Sequence, residues 1–225
     1  MSCLKFKVNT KINADVKEGE RMSGLRERQK ADRNRRILGA AIQLFRADGY
    51  RAARIEDMAE LAEVSPGTVY NYYGSKGDIL FATVALEVEE VLAAGKCIVA
   101  DPPRGVATAL MTLIGSYYDH SQEYLSKEMW RTAFALSVEA PHTPNGVRFS
   151  LLDRALSAQV VALIARLQER GEVSGALDAQ ALGEVIFNNL NAMFMEFVKD
   201  ETMTLDALKA DVARQIAPLA TLMAA

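Results

Sequence analysis

An all-α fold follows from three features of this 225-residue sequence. Apolar residues recur at three- and four-residue spacing along most of its length. No stretch alternates with the period of two that marks a strand. The breaks between periodic runs carry Gly, Pro, Ser or Thr. Half of the residues are apolar and no low-complexity tract intervenes, so there is material for one or two domains with a substantial core.

Taken in order, residues 1–28 mix charge with Gly and Ser without periodicity, and a flexible extension is expected there. Met22 stands just before SGLRERQKADRNRR, which makes an upstream start one reading of this leader. From Ala31 to Asp48, Ile37, Ala41, Leu44 and Phe45 form a stripe opposite Arg33, Arg36, Gln43 and Arg46, and Gly49 ends the helix. Further helices are expected at Arg54–Ala62, Pro66–Tyr72, Lys76–Ala94, Gly105–Gln122 and Ser126–Glu139. Gly95 is expected to weaken the fourth, and Asp101-Pro102-Pro103 breaks the chain after it. The loop Pro141–Gly146 precedes a long helix at Phe149–Arg170. Two more follow at Ala179–Lys199 and Leu205–Met223, the last capped by Thr204 and holding Pro218 near its end.

The densest information lies in residues 54–80, RIEDMAELAEVSPGTVYNYYGSKGDIL. Ile55, Met58, Ala59 and Ala62 give the first short helix an inward face, with Glu56 and Asp57 at its positive end. Glu63 and Val64 make the turn, at a position where a positive φ would strain any residue but glycine. Ser65 is a strong N-cap, and Pro66 suits the first helical position because its missing N–H goes unused there. Gly67 bares the backbone where a phosphate or base edge would approach. Thr68, Tyr70, Asn71 and Tyr72 supply hydroxyls and an amide suited to such contacts. Val69 and Tyr73 are spaced to pack back on the preceding helix. Ser75-Lys76-Gly77-Asp78 then resembles a capping box, with Lys76 placed at a phosphate seat. A turn and short helix in this order can put one amino end into a DNA groove.

This run resembles the DNA-binding domain of the TetR family of transcriptional repressors. The resemblance rests on Ala59, Ala62, Val64, Ser65, Gly67, Thr68, Val69, Tyr70, Tyr72, Ser75, Lys76 and Leu80 in register. Upstream, Arg36-Ile37-Leu38, Ala40-Ala41, Leu44-Phe45 and Gly49-Tyr50 are similar to the family's first helix and its exit. It covers about residues 30–85. Glu63 replaces the usual turn glycine, Tyr73 the usual Phe, and Ala53-Arg54 the usual Ser or Thr before the second helix.

What the resemblance implies is a flexible extension over 1–28, a three-helix helix-turn-helix domain over 29–77, and a larger helical ligand-binding and dimerisation domain over 78–225. It implies a homodimer on a double-stranded palindromic operator, released by a small-molecule effector. DNA contacts are expected from Arg54, Ser65, Pro66, Gly67, Thr68, Tyr70, Asn71, Tyr72 and Lys76. Of these, Gly67, Thr68 and Asn71 are candidates for base edges, and Tyr70, Tyr72, Lys76 and Arg54 for phosphates. The leader is expected to be a solvated tail, a basic arm for the minor groove being the other reading.

For the body, apolar stripes nominate a dimer interface at Leu182, Val185, Ile186 and Leu190, with Leu205, Leu208, Val212, Ile216 and Leu219 in the next helix. The same stripes would equally serve the monomer's own core. Candidate pocket residues are Tyr117, Tyr118, His120, Trp130, Phe134, Phe149, Phe187, Asn188, Asn189 and Met193.

Charge agrees with that division. Residues 1–77 hold 15 Lys and Arg against 10 Asp and Glu, whereas residues 78–225 hold 11 against 19. A basic first third on an acidic body is the asymmetry expected if only the former meets nucleic acid. Cys3 and Cys97 form no CxxC and suit a reducing cytoplasm. No apolar run spans a membrane; Glu87, Glu89, Glu90 and Lys96 interrupt the best candidate. Isolated His120 and His142 give no metal spacing, and neither a nucleophile motif nor a cofactor-binding glycine run stands out. No cofactor and no enzyme activity are expected. An architectural DNA binder, whose body serves protein partners instead of a small ligand, is the alternative.

Overall fold

Helices account for most of the described backbone, and the prolines stand between them or in their first turns, Pro218 near the end of the last helix excepted. The computed structural model describes the backbone from Leu4 to Ala225 and side chains from Arg26 onward. Residues 1–3, and the side chains of most of the expected extension, lie outside the described residues. Among the described residues there are nine helices: α1 (Leu4–Ala52), α2 (Ile55–Leu61), α3 (Pro66–Tyr72), α4 (Lys76–Ala100), α5 (Val106–His120), α6 (Lys127–Glu139), α7 (Pro144–Glu169), α8 (Ala179–Lys199) and α9 (Leu205–Met223). α1 starts well before Ala31; no proline occurs before Pro66 to stop it. Gly49, at φ 83°, breaks its helical path as expected, and Tyr50–Ala52 form a last turn beyond it.

α2 packs on both α1 and α3, and α4 carries the chain into the body. There α4 lies against α5, α6 and α7, α7 against α8, and α5 against α9. Two further boundaries differ from expectation. α4 runs through Gly95 to Ala100, since Gly95 is a point of close approach: a Cβ there would fall 2.2 Å from Gln159 Oε1. The space admits Gln159, whose amide donates to Leu92 O at 2.9 Å while its carbonyl accepts from the Tyr117 hydroxyl at 2.7 Å. α7 begins at Pro144 instead of Phe149. Thr143 Oγ1 accepts the Gly146 N–H at 3.2 Å, and Pro144 sits in the first turn.

The dimer stripes need correction. Leu208, Val212 and Ile216 are wholly buried in the protomer, on a helix packed against α5. Ile186 and Leu190 also face the core; Leu182, Leu205 and Leu219 are half-buried against it, and only Val185 is exposed. Periodicity marks the most apolar face of a helix, and α8 and α9 use that face to close their own core.

Candidate functional site

At the basic end, α2 finishes in a Schellman turn. Val64 N–H donates to Ala59 O at 2.9 Å and Glu63 N–H to Glu60 O at 3.0 Å. Glu63 occupies the left-handed position at φ 53°. Arg36 of α1 clamps the turn, donating to Ala62 O at 2.9 Å with its guanidinium 3.6 Å from the Glu63 carboxylate. Ser65 Oγ then accepts the Thr68 N–H at 3.2 Å, and Pro66 opens α3. Val69 is the buried face of α3, so Gly67, Tyr70 and Asn71 stand in solvent with Ser65 and Pro66. Thr68 is half-buried, its hydroxyl 2.9 Å from Ser65 Oγ. A Cβ added to Gly67 would meet only Ser65 Oγ, at 3.8 Å. Nothing inside the fold requires that glycine; its bareness faces outward.

Two candidate DNA residues, Tyr72 and Lys76, are engaged internally. The Tyr72 hydroxyl donates to Lys30 O at 3.1 Å and accepts from Arg33 Nε at 3.3 Å, tying α3 to α1. Tyr73, in the position of the usual Phe, donates to Asn34 Oδ1 at 2.6 Å. Lys76 Nζ donates to Arg51 O and Ala53 O, both at 3.0 Å, and lies 4.7 Å from the Tyr50 ring centroid. Two of its three N–H donors therefore hold the exit of α1, and Lys76 is half-buried instead of facing outward. Arg54 is exposed and lies 3.5 Å from the Glu56 carboxylate.

In the body, α4, α5, α6, α7 and α8 surround a partly open cavity with about 70 Å³ of room for the centres of water-sized spheres. Tyr117, Tyr118, Trp130, Phe134, Phe149 and Phe187 of the expected set line it. Their polar ends are already satisfied where they are polar: Tyr117 bonds Gln159, Tyr118 donates to Leu190 O at 2.7 Å, and Trp130 Nε1 donates to Ser121 O at 2.6 Å. Burial raises both tyrosine pKa values well above the usual range. Four expected residues are elsewhere. Asn188 is exposed, Asn189 donates to Gln215 Oε1 at 2.7 Å, and Met193 Sδ accepts from Gln215 Nε2 at 3.3 Å. His120 lies outside the cavity lining with Nε2 3.3 Å from Glu90.

The lining also includes Glu87, Asp153, Asn191 and Phe194, which the sequence reading missed. Each sits at helical spacing inside an apolar stripe: Glu87 with Val84, Val88 and Val91, Asp153 with Phe149 and Leu156, and Asn191 and Phe194 with Phe187. A polar residue in register with such a stripe was the available signal. Burial first, with Glu123 and Glu90 adding and the Tyr124 N–H opposing, pushes the Glu87 carboxyl up to about 8. Burial pushes Asp153 up to about 6. Among the described residues no cluster of His, Cys, Asp and Glu is arranged to hold a metal, and no helix is long and apolar enough to cross a membrane.

An exposed helix-turn-helix joined by a shared helix to an aromatic cavity defines a DNA-binding transcriptional regulator with a ligand-binding body. The family profile of bacterial regulatory proteins of the TetR family matches residues 37–83. The transcriptional repressor NicS of Pseudomonas putida is 31% identical over 160 residues, 69% of this chain and 70% of NicS. This chain belongs to the TetR family of transcriptional regulators. Solved structures agree in fold. A TetR-family regulator of Mesorhizobium loti superposes with a TM-score of 0.65 at 17% identity, covering 87% of this chain and 98% of that one. FadR of Thermus thermophilus, a TetR-family repressor solved with lauroyl-CoA, gives 0.60 at 19% identity, covering 84% and 93%.

Proposed function

We propose that this protein is a repressor whose dimer holds a palindromic operator until a small molecule enters the body cavity. The reading head is the solvent face of α3: Gly67, Thr68, Tyr70 and Asn71, with Ser65, Pro66 and Arg54 at its entry. Lys76 and Tyr72 set its pose and meet phosphates only with what donor capacity they have left. Residues 29–77 act as the DNA-binding unit and 78–225 as the sensor and dimer unit. Its place of work is the cytoplasm, where operators are.

One observation carries the sensor reading. α4 bears Lys76, which holds the exit of α1, and three turns later Glu87, Val88 and Val91, which line the cavity. α6 repeats the arrangement: Trp130 and Phe134 line the cavity, while Leu136 Cδ1 stands 3.4 Å from where a Gly77 Cβ would be. A ligand that displaces either helix moves the reading head. Two heads about one DNA turn, ~34–36 Å, apart would then lose register, and a coupling of ~1–3 kcal/mol weakens DNA binding roughly 5- to 150-fold. The aromatic cavity favours this reading over an architectural DNA binder, whose body would be filled.

The dimer surface is the solvent side of α8 and α9, opposite their buried stripes. On α8, Ala181, Val185, Asn188, Ala192 and Met195 share one exposed face; on α9, Ala210, Ala217 and Thr221 do. Small residues let helix axes approach closely, and four such helices from two protomers make a bundle. Fluorescence anisotropy with the intergenic DNA beside the gene, with and without ligands found by thermal shift, tests the proposal. A ligand that raises the melting temperature and releases the DNA supports it. Ligands that stabilise the protein but leave DNA affinity unchanged refute the coupling.

A further inference from the structure

The cavity's polar groups are unevenly matched. Glu87 is 1% exposed; its Oε2 accepts the Tyr124 N–H at 3.3 Å, while Oε1 is buried without a partner. Asp153 supplies a second carboxyl, and no Lys, Arg or His is among the lining residues. The remaining wall is aromatic and aliphatic in nearly equal parts. Trp130 and Phe194 meet edge to face with centroids 5.2 Å apart, and Phe134 and Phe149 do so at 5.8 Å. With the tyrosine hydroxyls and the indole N–H already bonded, the carboxyls and the Asn191 amide are left to meet a ligand.

We infer that this cavity, read above as the sensor site, takes a lipophilic organic cation, such as an amine or quaternary ammonium on an aromatic or long alkyl body. The cation faces the carboxylates, Glu87 foremost, and its body lies against the aromatic wall. Ring faces attract a desolvated cation. A buried carboxyl with an unpaired oxygen gains from one directly. An anionic ligand would instead bring a further negative charge to a site with no lining cation.

The groups around Glu87 are Glu90 on its own helix, Glu123 and Tyr124 between α5 and α6, and Asp153 on α7; His120 lies beyond, on Glu90. With its carboxyl pushed up to about 8, Glu87 is mostly protonated in the empty cavity at pH 7. The cation ionises it, and the proton leaves to solvent.

The test uses the full-length protein and three probes with one body: 4-phenylbutylamine, 4-phenylbutan-1-ol and 4-phenylbutanoate. Trp130 is the sole tryptophan and lines the cavity, so its emission reports occupancy. At pH 7 the amine should bind at least about tenfold more tightly than the alcohol, and the alcohol more tightly than the acid. Calorimetry in buffers of different ionisation enthalpy should show proton release with the amine alone. Glu87→Gln, checked for folding by its melting transition, should lose about tenfold or more in amine affinity and abolish proton release while keeping the alcohol. Asp153→Asn supplies a second variant if the first folds poorly; it should weaken the amine selectively. If the alcohol or acid binds as well as the amine, the cation assignment is wrong while the sensor reading stands. If no probe changes the emission or the melting temperature, both fall.

Discussion

Gly67→Ala separates a residue kept for the fold from one kept for a partner. Gly67 lies in the first turn of α3, in solvent, and an added methyl would touch only Ser65 Oγ at the ordinary distance of 3.8 Å. Alanine loses less backbone freedom than glycine in a helix, so the substitution should stabilise the protein by about 0.5–1 kcal/mol. On DNA the same methyl stands where α3 must bring its backbone near a phosphate or base edge. Loss of that approach should weaken operator binding about tenfold or more, a cost of ~1.4 kcal/mol. Urea denaturation gives the first number and anisotropy on operator DNA the second. A variant that is more stable and binds worse supports the reading head. One that is more stable and binds normally refutes it, because the glycine would then serve neither fold nor contact.

Other expectations follow from the same geometry. The Glu87 carboxyl is raised in the folded state, so the stability it allows is full below about 4.5 and is lost as pH rises through about 8. Denaturation of wild type and Glu87→Gln from pH 5 to 9 should therefore diverge over that window, with the variant flatter by up to a few kcal/mol; parallel profiles contradict the burial argument. Lys76→Met removes a charged donor from the Arg51 and Ala53 carbonyls and should cost ~1.5–3 kcal/mol of stability, measured in urea. An unchanged midpoint would return Lys76 to a purely phosphate role. Ala192→Glu should turn dimer to monomer by light scattering while each protomer stays folded. Leu208→Ala should cost ~2–5 kcal/mol, as for a core leucine. If instead Leu208→Ala separated the subunits at little cost in stability, the buried assignment of α9 would be wrong.

The turn before α3 and its cap were legible from sequence because their determinants are local. Ser65, Pro66 and Glu63 act on the backbone within a turn of where they stand. The aromatic wall was legible in part, since Trp130, Phe134 and Phe149 lie on helices whose apolar faces can only turn inward. What periodicity left open was which neighbour each stripe meets. Leu208, Val212 and Ile216 look the same whether they face α5 or another subunit. Lys76 looked like a free cation because the carbonyls that hold it, at Arg51 and Ala53, are set by the tertiary path of α1. Asn188 and Asn189 were nominated for adjacency to Phe187, but Asn191 has the phase that reaches the cavity. Glu87 and Asp153 were overlooked because a charge in an apolar run first suggests a solvated face.

Selection of bound duplexes from a random DNA library, using the full-length protein and Asn71→Ala in parallel, bears most directly on α3. The expected result is a pair of inverted half-sites about one helical turn apart for the wild type, with altered preference at defined positions for the variant. Enrichment of no sequence, or of the same sequence by both proteins along with Thr68→Ala and Gly67→Ala, would contradict the claim that α3 reads DNA.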